Sequence, residues 1–214
     1  MGLRLLVLLV CLALAACGGE DDAAENETEP TQGCETVDPA EAREDGDRTA
    51  PTEPLAEGTT YRLKVDTNCG PFTITLDPKT APKMAASLVA LARDGFFDGI
   101  GFHRVAPGFV IQGGDPTGVG AGGPGYSTVD PPPQDARYTE GVVAMAKAPD
   151  EAPGTSGSQF FVVTGGDIGL PPEYAVVGRV TEGMETVLEI DALGIGDGPP
   201  STPIVMEKVT VEES

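Results

Sequence analysis

Apolar and polar positions repeat in short blocks from about residue 59 onward. Tyr61-Arg62-Leu63-Lys64-Val65 alternates apolar with polar, the pattern of a half-buried strand. Asn68-Cys69-Gly70-Pro71 has turn chemistry, and Phe72-Thr73-Ile74-Thr75-Leu76 alternates again, so the two blocks predict a hairpin. Thr80 can cap a helix beginning at Ala81-Pro82, because a proline in the first turn loses no helical hydrogen bond. Met84, Leu88 and Leu91 recur at helical spacing, Gly95 supplies a stop, and Phe96 and Phe97 pack the helix onto a sheet. Residues 113–134 read as a long glycine/proline loop. Further strands are predicted at 141–146, 159–163 and 175–180, a short helix at 184–192, and a closing strand at 204–211. Many short strands with two helices make the domain mainly β, and closing the sheet into a barrel removes exposed edges. No internal repeat is visible.

The preceding residues follow a different pattern. Residues 1–16 combine Arg4 with an apolar run from Leu5 to Leu14, too short for a stable membrane span and of signal-peptide length. Leu14-Ala15-Ala16-Cys17 resembles a bacterial lipobox, in which the Cys17 sulfur receives a diacylglycerol; an ordinary cleaved signal that contains a cysteine is the alternative. Residues 17–58 are acidic, lack aromatics and have Arg43 and Arg48 as their only bases. Such a tract buries too little apolar area to offset chain entropy, and it reads as a lipidated, disordered tether ahead of a domain at 59–214. The expected location is outside the cytoplasmic membrane, held by the lipid.

Length and charge narrow the function. The 214 residues allow one domain of ordinary size plus extra segments, and 29 glycines with 20 prolines fit its loops. A net charge of -21 excludes a phosphate-binding basic patch, so no nucleic-acid partner is expected. With Cys11 lost with the signal and Cys17 lipidated, Cys34 and Cys69 remain. In an oxidising compartment they bridge or stay as two thiols; the bridge is the expectation. One histidine and no Cys-x-x-Cys leave no zinc site, and no cofactor is expected.

Candidate chemistry concentrates at Phe102-His103-Arg104-Val105-Ala106-Pro107-Gly108-Phe109-Val110-Ile111-Gln112-Gly113-Gly114-Asp115. One guanidinium and one amide in an apolar surface suit a largely hydrophobic ligand with a carbonyl to grip. Other motifs fail. Gly118-Val119-Gly120-Ala121-Gly122-Gly123 has the dinucleotide spacing, but Pro124-Gly125 stands where a helix should begin. Gly154-Thr155-Ser156-Gly157-Ser158 lacks the second glycine of a nucleophile elbow. A hydrolase would have to use His103, whose neighbour Arg104 hinders its taking a proton.

This stretch, with Gly141-Val142-Val143-Ala144-Met145-Ala146 and Gly157-Ser158-Gln159-Phe160-Phe161, resembles the cyclophilin family of peptidyl-prolyl cis/trans isomerases across about 61–211. The resemblance implies a closed antiparallel β-barrel of about eight strands with two capping helices, and a groove on its outer face. By position it makes Arg104, Gln112 and Phe161 the catalytic set. Phe102, His103, Phe109, Val110, Ala146, Lys147, Gln159, Leu170 and Tyr174 become substrate-binding residues. Three positions depart: Lys147 stands where many members have Asn, Gly169 where many have Trp, and Tyr174 where many have His. The implied partners are proline-containing polypeptides, and a monomer is the default assembly. A non-catalytic module that holds proline segments is the alternative function. A solute-binding lipoprotein is disfavoured, since one small β domain lacks two lobes to close around a ligand.

Overall fold

The computed structural model describes residues 33–44 and 46–214. The expected signal peptide, Cys11 and the lipidation site Cys17 lie outside the described residues. β1 (Tyr61–Thr67) and β2 (Gly70–Leu76) form the hairpin, with Val65 opposite Phe72 and Thr67 opposite Gly70. α1 (Pro82–Arg93) follows and buries Met84, Leu88, Leu91 and the alanines between them. Its start differs from the sequence expectation. No side chain caps Ala81 locally, and the Thr80 hydroxyl donates to Asp77 Oδ2 at 2.5 Å instead. The first-turn N–H of Met84 donates to Asp130 Oδ2 at 2.7 Å, a buried carboxylate from far along the chain. A distant acid therefore satisfies the orphan donor that a local cap was expected to take. The end agrees: Gly95, at φ 66°, donates to Ala92 O, and Phe96 donates to Leu91 O. These two bonds close the last turn.

β3 (Ile100–Gly101), β4 (Arg104–Ala106), β5 (Val110–Gly113), β7 (Val142–Met145), β9 (Phe160–Val163), β10 (Val176–Glu182) and β11 (Val205–Glu213) join the hairpin in one antiparallel sheet. Its nine strands run β3-β11-β1-β2-β10-β7-β9-β5-β4. β6 (Thr128–Val129) and β8 (Thr155–Ser156) pair separately. α2 (Met184–Asp191) packs Val187 and Ile190 into the core. The domain is mainly β with two helices, as expected; the sheet has more and shorter strands than the sequence pattern showed. β7 and β9 are buried along their whole length. Val143, Met145, Phe160 and Val162 join the main core, whereas Val142, Ala144, Phe161 and Val163 join a second cluster on the opposite face. Both faces of these strands are therefore covered, which explains continuous apolar runs where half-burial gives alternation.

The expected tether is a strap over its described part. Cys34 is disulfide-bonded to Cys69 in the β1–β2 turn. Glu35 N–H donates to Asn68 O at 2.7 Å, and the buried Asn68 amide donates to Glu35 O and Pro203 O. Arg43, Gly46 and Arg48 donate main-chain N–H groups to Pro116 O, Gly123 O and Pro124 O. The Arg43 guanidinium caps Phe96 O at 2.6 Å, and Arg48 pairs with Asp94 while lying 4.9 Å from the Phe96 ring centre. Residues 33–44 and 46–58 thus adhere to the domain through the disulfide, backbone bonds and the segment's two arginines, with Cys34 and Leu55 as their apolar contacts with the core. That is why an acidic composition reads as disorder there.

Candidate active site

Arg104 of β4 stands opposite Gln112 of β5. Gln112 stands opposite Phe161 of β9, Phe161 opposite Ala144 of β7, and Ala144 opposite Val176 of β10. Directly opposed residues on antiparallel strands share a face. One row therefore crosses five strands: a cation, an amide, an aromatic ring and two aliphatic side chains.

Beside this row is a depression of about 300 Å³, lined by Arg104, Phe109, Val110, Gln112, Ala146, Lys147, Phe161, Leu170 and Tyr174. Every one of them belongs to the set named from the sequence. Phe161 packs edge-on to Tyr174, ring centres 5.7 Å apart, and Phe109 lies 5.8 Å from the Arg104 guanidinium. The Tyr138 hydroxyl donates to Tyr174 O at 2.7 Å and accepts from Tyr174 N–H at 3.0 Å, which fixes that wall. A second groove of about 590 Å³ continues from Gln112, Ala146 and Lys147 toward Gly120–Ser127 and Gly157–Gln159.

The polar atoms form a chain. Arg104 Nη1 donates to Gln112 Oε1 (3.0 Å), Gln112 Nε2 to Gln159 Oε1 (3.1 Å), and Gln159 Nε2 to Gly122 O (3.0 Å). Each amide is thereby held in one orientation. The loop carrying Gly122 is wrapped around the Asp115 carboxylate, which accepts main-chain N–H bonds from Thr117, Gly120, Ala121 and Gly122. Burial pushes the Asp115 carboxyl up, but the Thr117 hydroxyl, the main-chain N–H groups of Thr117 and Gly120 and nearby His103 outweigh it and hold it below its ordinary value. The glycine motif therefore folds around the chain's own anion, not at the start of a helix.

Lys147 has a side chain only 3% exposed. Its ammonium donates to Ala148 O and Glu151 O, lies 3.3 Å from Glu173 Oε2 and sits 5.7 Å from the Tyr174 ring centre. It ties the 146–151 bend to the Tyr174 wall. Ala146 N–H is already engaged by Gln159 O, so that main-chain donor is not on offer.

Two expected substrate-binding residues lie elsewhere. Phe102 is in the main core, packed against Phe72 and Phe160, because its side chain points to the covered face. His103 lies next to Gly120 and lines a separate cleft with Asp115 and residues 39–42 of the strap. Its Nδ1 is buried with no hydrogen-bond partner among the described residues. Burial lowers its pKa; Asp115 opposes that and Arg104 reinforces it. A histidine lowered on folding stabilises the fold fully above its ordinary value of 6.5 and loses that contribution as pH falls toward the folded-state pKa. Melting temperature is therefore expected to drop between pH 7.5 and 5.5, where carboxylates are still ionised. His103→Gln flattens that slope; an unchanged slope in the variant refutes the assignment. The chain has a single histidine, so the window is clean.

The sequence reading missed Asp197, which accepts from both Nε and Nη2 of Arg104. It sits in a Gly-Asp-Gly-Pro-Pro turn, and nothing local marks it as part of a site.

A model of the cyclophilin type peptidyl-prolyl cis-trans isomerase/CLD family matches residues 62–211. The chain belongs to the cyclophilin family. This cyclophilin is 37% identical over 177 residues to peptidyl-prolyl cis-trans isomerase A of Mycobacterium tuberculosis, covering 74% of the chain and 94% of that protein. It is 34% identical over 141 residues to a peptidyl-prolyl cis-trans isomerase of Arabidopsis thaliana, covering 64% of the chain and 84% of the relative. Among solved structures, it is similar to a cyclophilin type isomerase of Cryptosporidium parvum. The TM-score is 0.65 at 29% identity, over 72% of this chain and 98% of that one. A second structure of that protein, determined in the presence of the dipeptide Ala-Pro, matches with the same TM-score at 30% identity, over 71% and 98% of the two chains. The matched region of this cyclophilin includes every residue that lines the depression.

Proposed function

We propose that this cyclophilin accelerates cis/trans isomerisation of X–Pro bonds in polypeptides, with Arg104 as the catalytic donor. The observation that carries this reading is a guanidinium at the rim of a small apolar depression, with its neighbouring amides already oriented. A proline ring fits among Phe109, Val110, Phe161 and Leu170, while the preceding carbonyl rotates outside. The X–Pro barrier arises from amide resonance, and twisting the bond localises a lone pair on the proline nitrogen. A donor aimed at that nitrogen binds the twisted state better than either planar state, which is the requirement for catalysis. The Ala-Pro dipeptide used with the Cryptosporidium relative supports proline recognition. The test is an isomerase assay by exchange NMR on an Ala-Pro peptide. Catalysed exchange is expected; binding without acceleration makes the protein a proline-holding module instead.

We also infer that the sheet closes on itself. Its end strands, β3 and β4, are joined by Phe102 and His103 alone. A Cβ on Gly113 of β5, the neighbour of β4, would stand 3.1 Å from Gly101 O of β3, so the sheet's two end regions lie against one another. Export and lipid anchoring through Cys17 form a further proposal, supported by Leu14-Ala15-Ala16-Cys17 and by a disulfide that suits an oxidising compartment. Mass spectrometry of membrane fractions is expected to find a diacylglycerol adduct on Cys17; a free N-terminus elsewhere refutes it.

A further inference from the structure

A guanidinium has five N–H donors. In Arg104, one on Nη1 goes to Gln112 Oε1. Nε and one on Nη2 go to Asp197 Oδ1 and Oδ2, at 2.5 and 3.1 Å. Two-point pairing of this kind fixes the plane of the guanidinium as well as its position.

Asp197 belongs to the loop between α2 and β11, and that loop is fastened to the strand that carries Arg104. Val105 N–H donates to Gly198 O at 2.7 Å, so the residue after Arg104 is bonded to the residue after Asp197. Ser201 N–H donates to Leu193 O at 2.8 Å across the neck of the loop, where Gly194 bridges Pro200. Gly194 lies so close to Pro107 that a Cβ would come within 2.6 Å of its ring. Pro199 and Pro200 stiffen the returning arm. The carboxylate is thus presented by a braced backbone, although its side chain is 65% exposed. Exposed ion pairs add little to stability, so folding does not account for the arrangement.

We propose that Asp197 is a positioning residue for the isomerase, clamping the Arg104 guanidinium in the plane that leaves its two remaining N–H groups for the proline nitrogen of a bound peptide. This rests on the reading of Arg104 as the catalytic donor. Without the clamp, Arg104 keeps only its bond to Gln112. A long side chain then spreads over several rotamers and is aimed correctly for part of the time. The apolar depression is untouched, so the loss falls on kcat and not on KM. The hydrogen bond from Arg104 also holds the Asp197 carboxyl below its ordinary value.

The test measures kcat and KM by exchange NMR on a Leu-Pro peptide, using the full chain as parent, Asp197→Ala, Asp197→Asn, Arg104→Ala and the Arg104→Ala/Asp197→Ala pair. Asp197→Ala is expected to lower kcat about fivefold or more with KM within about twofold. Asp197→Asn keeps an acceptor and recovers part of the loss. In the Arg104→Ala background, removing Asp197 makes no further difference, because its effect passes through Arg104. Parental or raised kcat in Asp197→Ala overturns the clamp, as does a loss that persists in the Arg104→Ala background. Parental activity of Arg104→Ala overturns the Arg104 reading instead, so the two failures are distinct.

Discussion

Replacing Arg104 with Ala is expected to lower kcat/KM for X–Pro isomerisation by at least about tenfold while the fold survives, a loss of roughly 1.4 kcal/mol of transition-state stabilisation. The magnitude follows from the bond it removes. A hydrogen bond from a charged donor contributes about 1.5–3 kcal/mol, and this one is strongest when the proline nitrogen is pyramidal and its lone pair localised. The loss therefore appears in kcat. The fold survives because the Arg104 side chain is 30% exposed and its partners Gln112 and Asp197 are also open to water. Arg104→Lys restores little, since an ammonium cannot hold Gln112 and both Asp197 oxygens and still present a donor in a fixed plane. Protease-coupled or exchange-NMR rates on an Ala-Pro peptide check this. Equal rates for mutant and parent sink the mechanism, and a change in KM alone reduces Arg104 to a binding group.

Replacing both Cys34 and Cys69 with Ala is expected to destabilise the domain by roughly 3–4 kcal/mol in the loop-entropy account. The bridge joins residues 35 apart, and the strap between Cys34 and β1 has almost no apolar packing to hold it once the bond is gone. Leu55 alone among the strap's larger aliphatics packs against the core. Urea denaturation of parent and double mutant, with isomerase activity as a control for folding, measures the effect. A loss below about 1 kcal/mol would mean that Arg43, Arg48 and the backbone bonds hold the strap unaided.

The β1–β2 hairpin, the α1 stop at Gly95 and β11 were legible because alternation and turn residues are local signals. β3, β4 and β5 were not. They are two to four residues long, and Val110-Ile111 is buried on both faces, so no period distinguishes inside from outside. The depression was legible as a set of residue types that match a known family, although neither spacing nor periodicity could bring Leu170 or Tyr174 next to Arg104. Within that set, Phe102 stands apart from the depression for a structural reason. It adjoins the site in sequence, but it sits at the corner between β3 and β4, where its ring turns into the core. Asp115 merely closes the candidate stretch in the sequence, and only the folded loop shows it as a hub. Asp197 had no local signal, because its partner is 93 residues away.

The bridge at Cys34 also determines how the domain bears a mechanical load. Tension on the chain before Cys34 passes straight to Cys69 in the turn between β1 and β2, and residues 35–68 carry none of it. Those two strands are interior to the sheet: β1 is bonded to β11 and β2, and β2 to β1 and β10. The pull therefore meets strands held on both sides, which cannot be peeled away as a free edge can. With the bridge reduced, the same pull would strip the strap from Pro124, Pro116 and Phe96 one contact at a time before it reached the sheet.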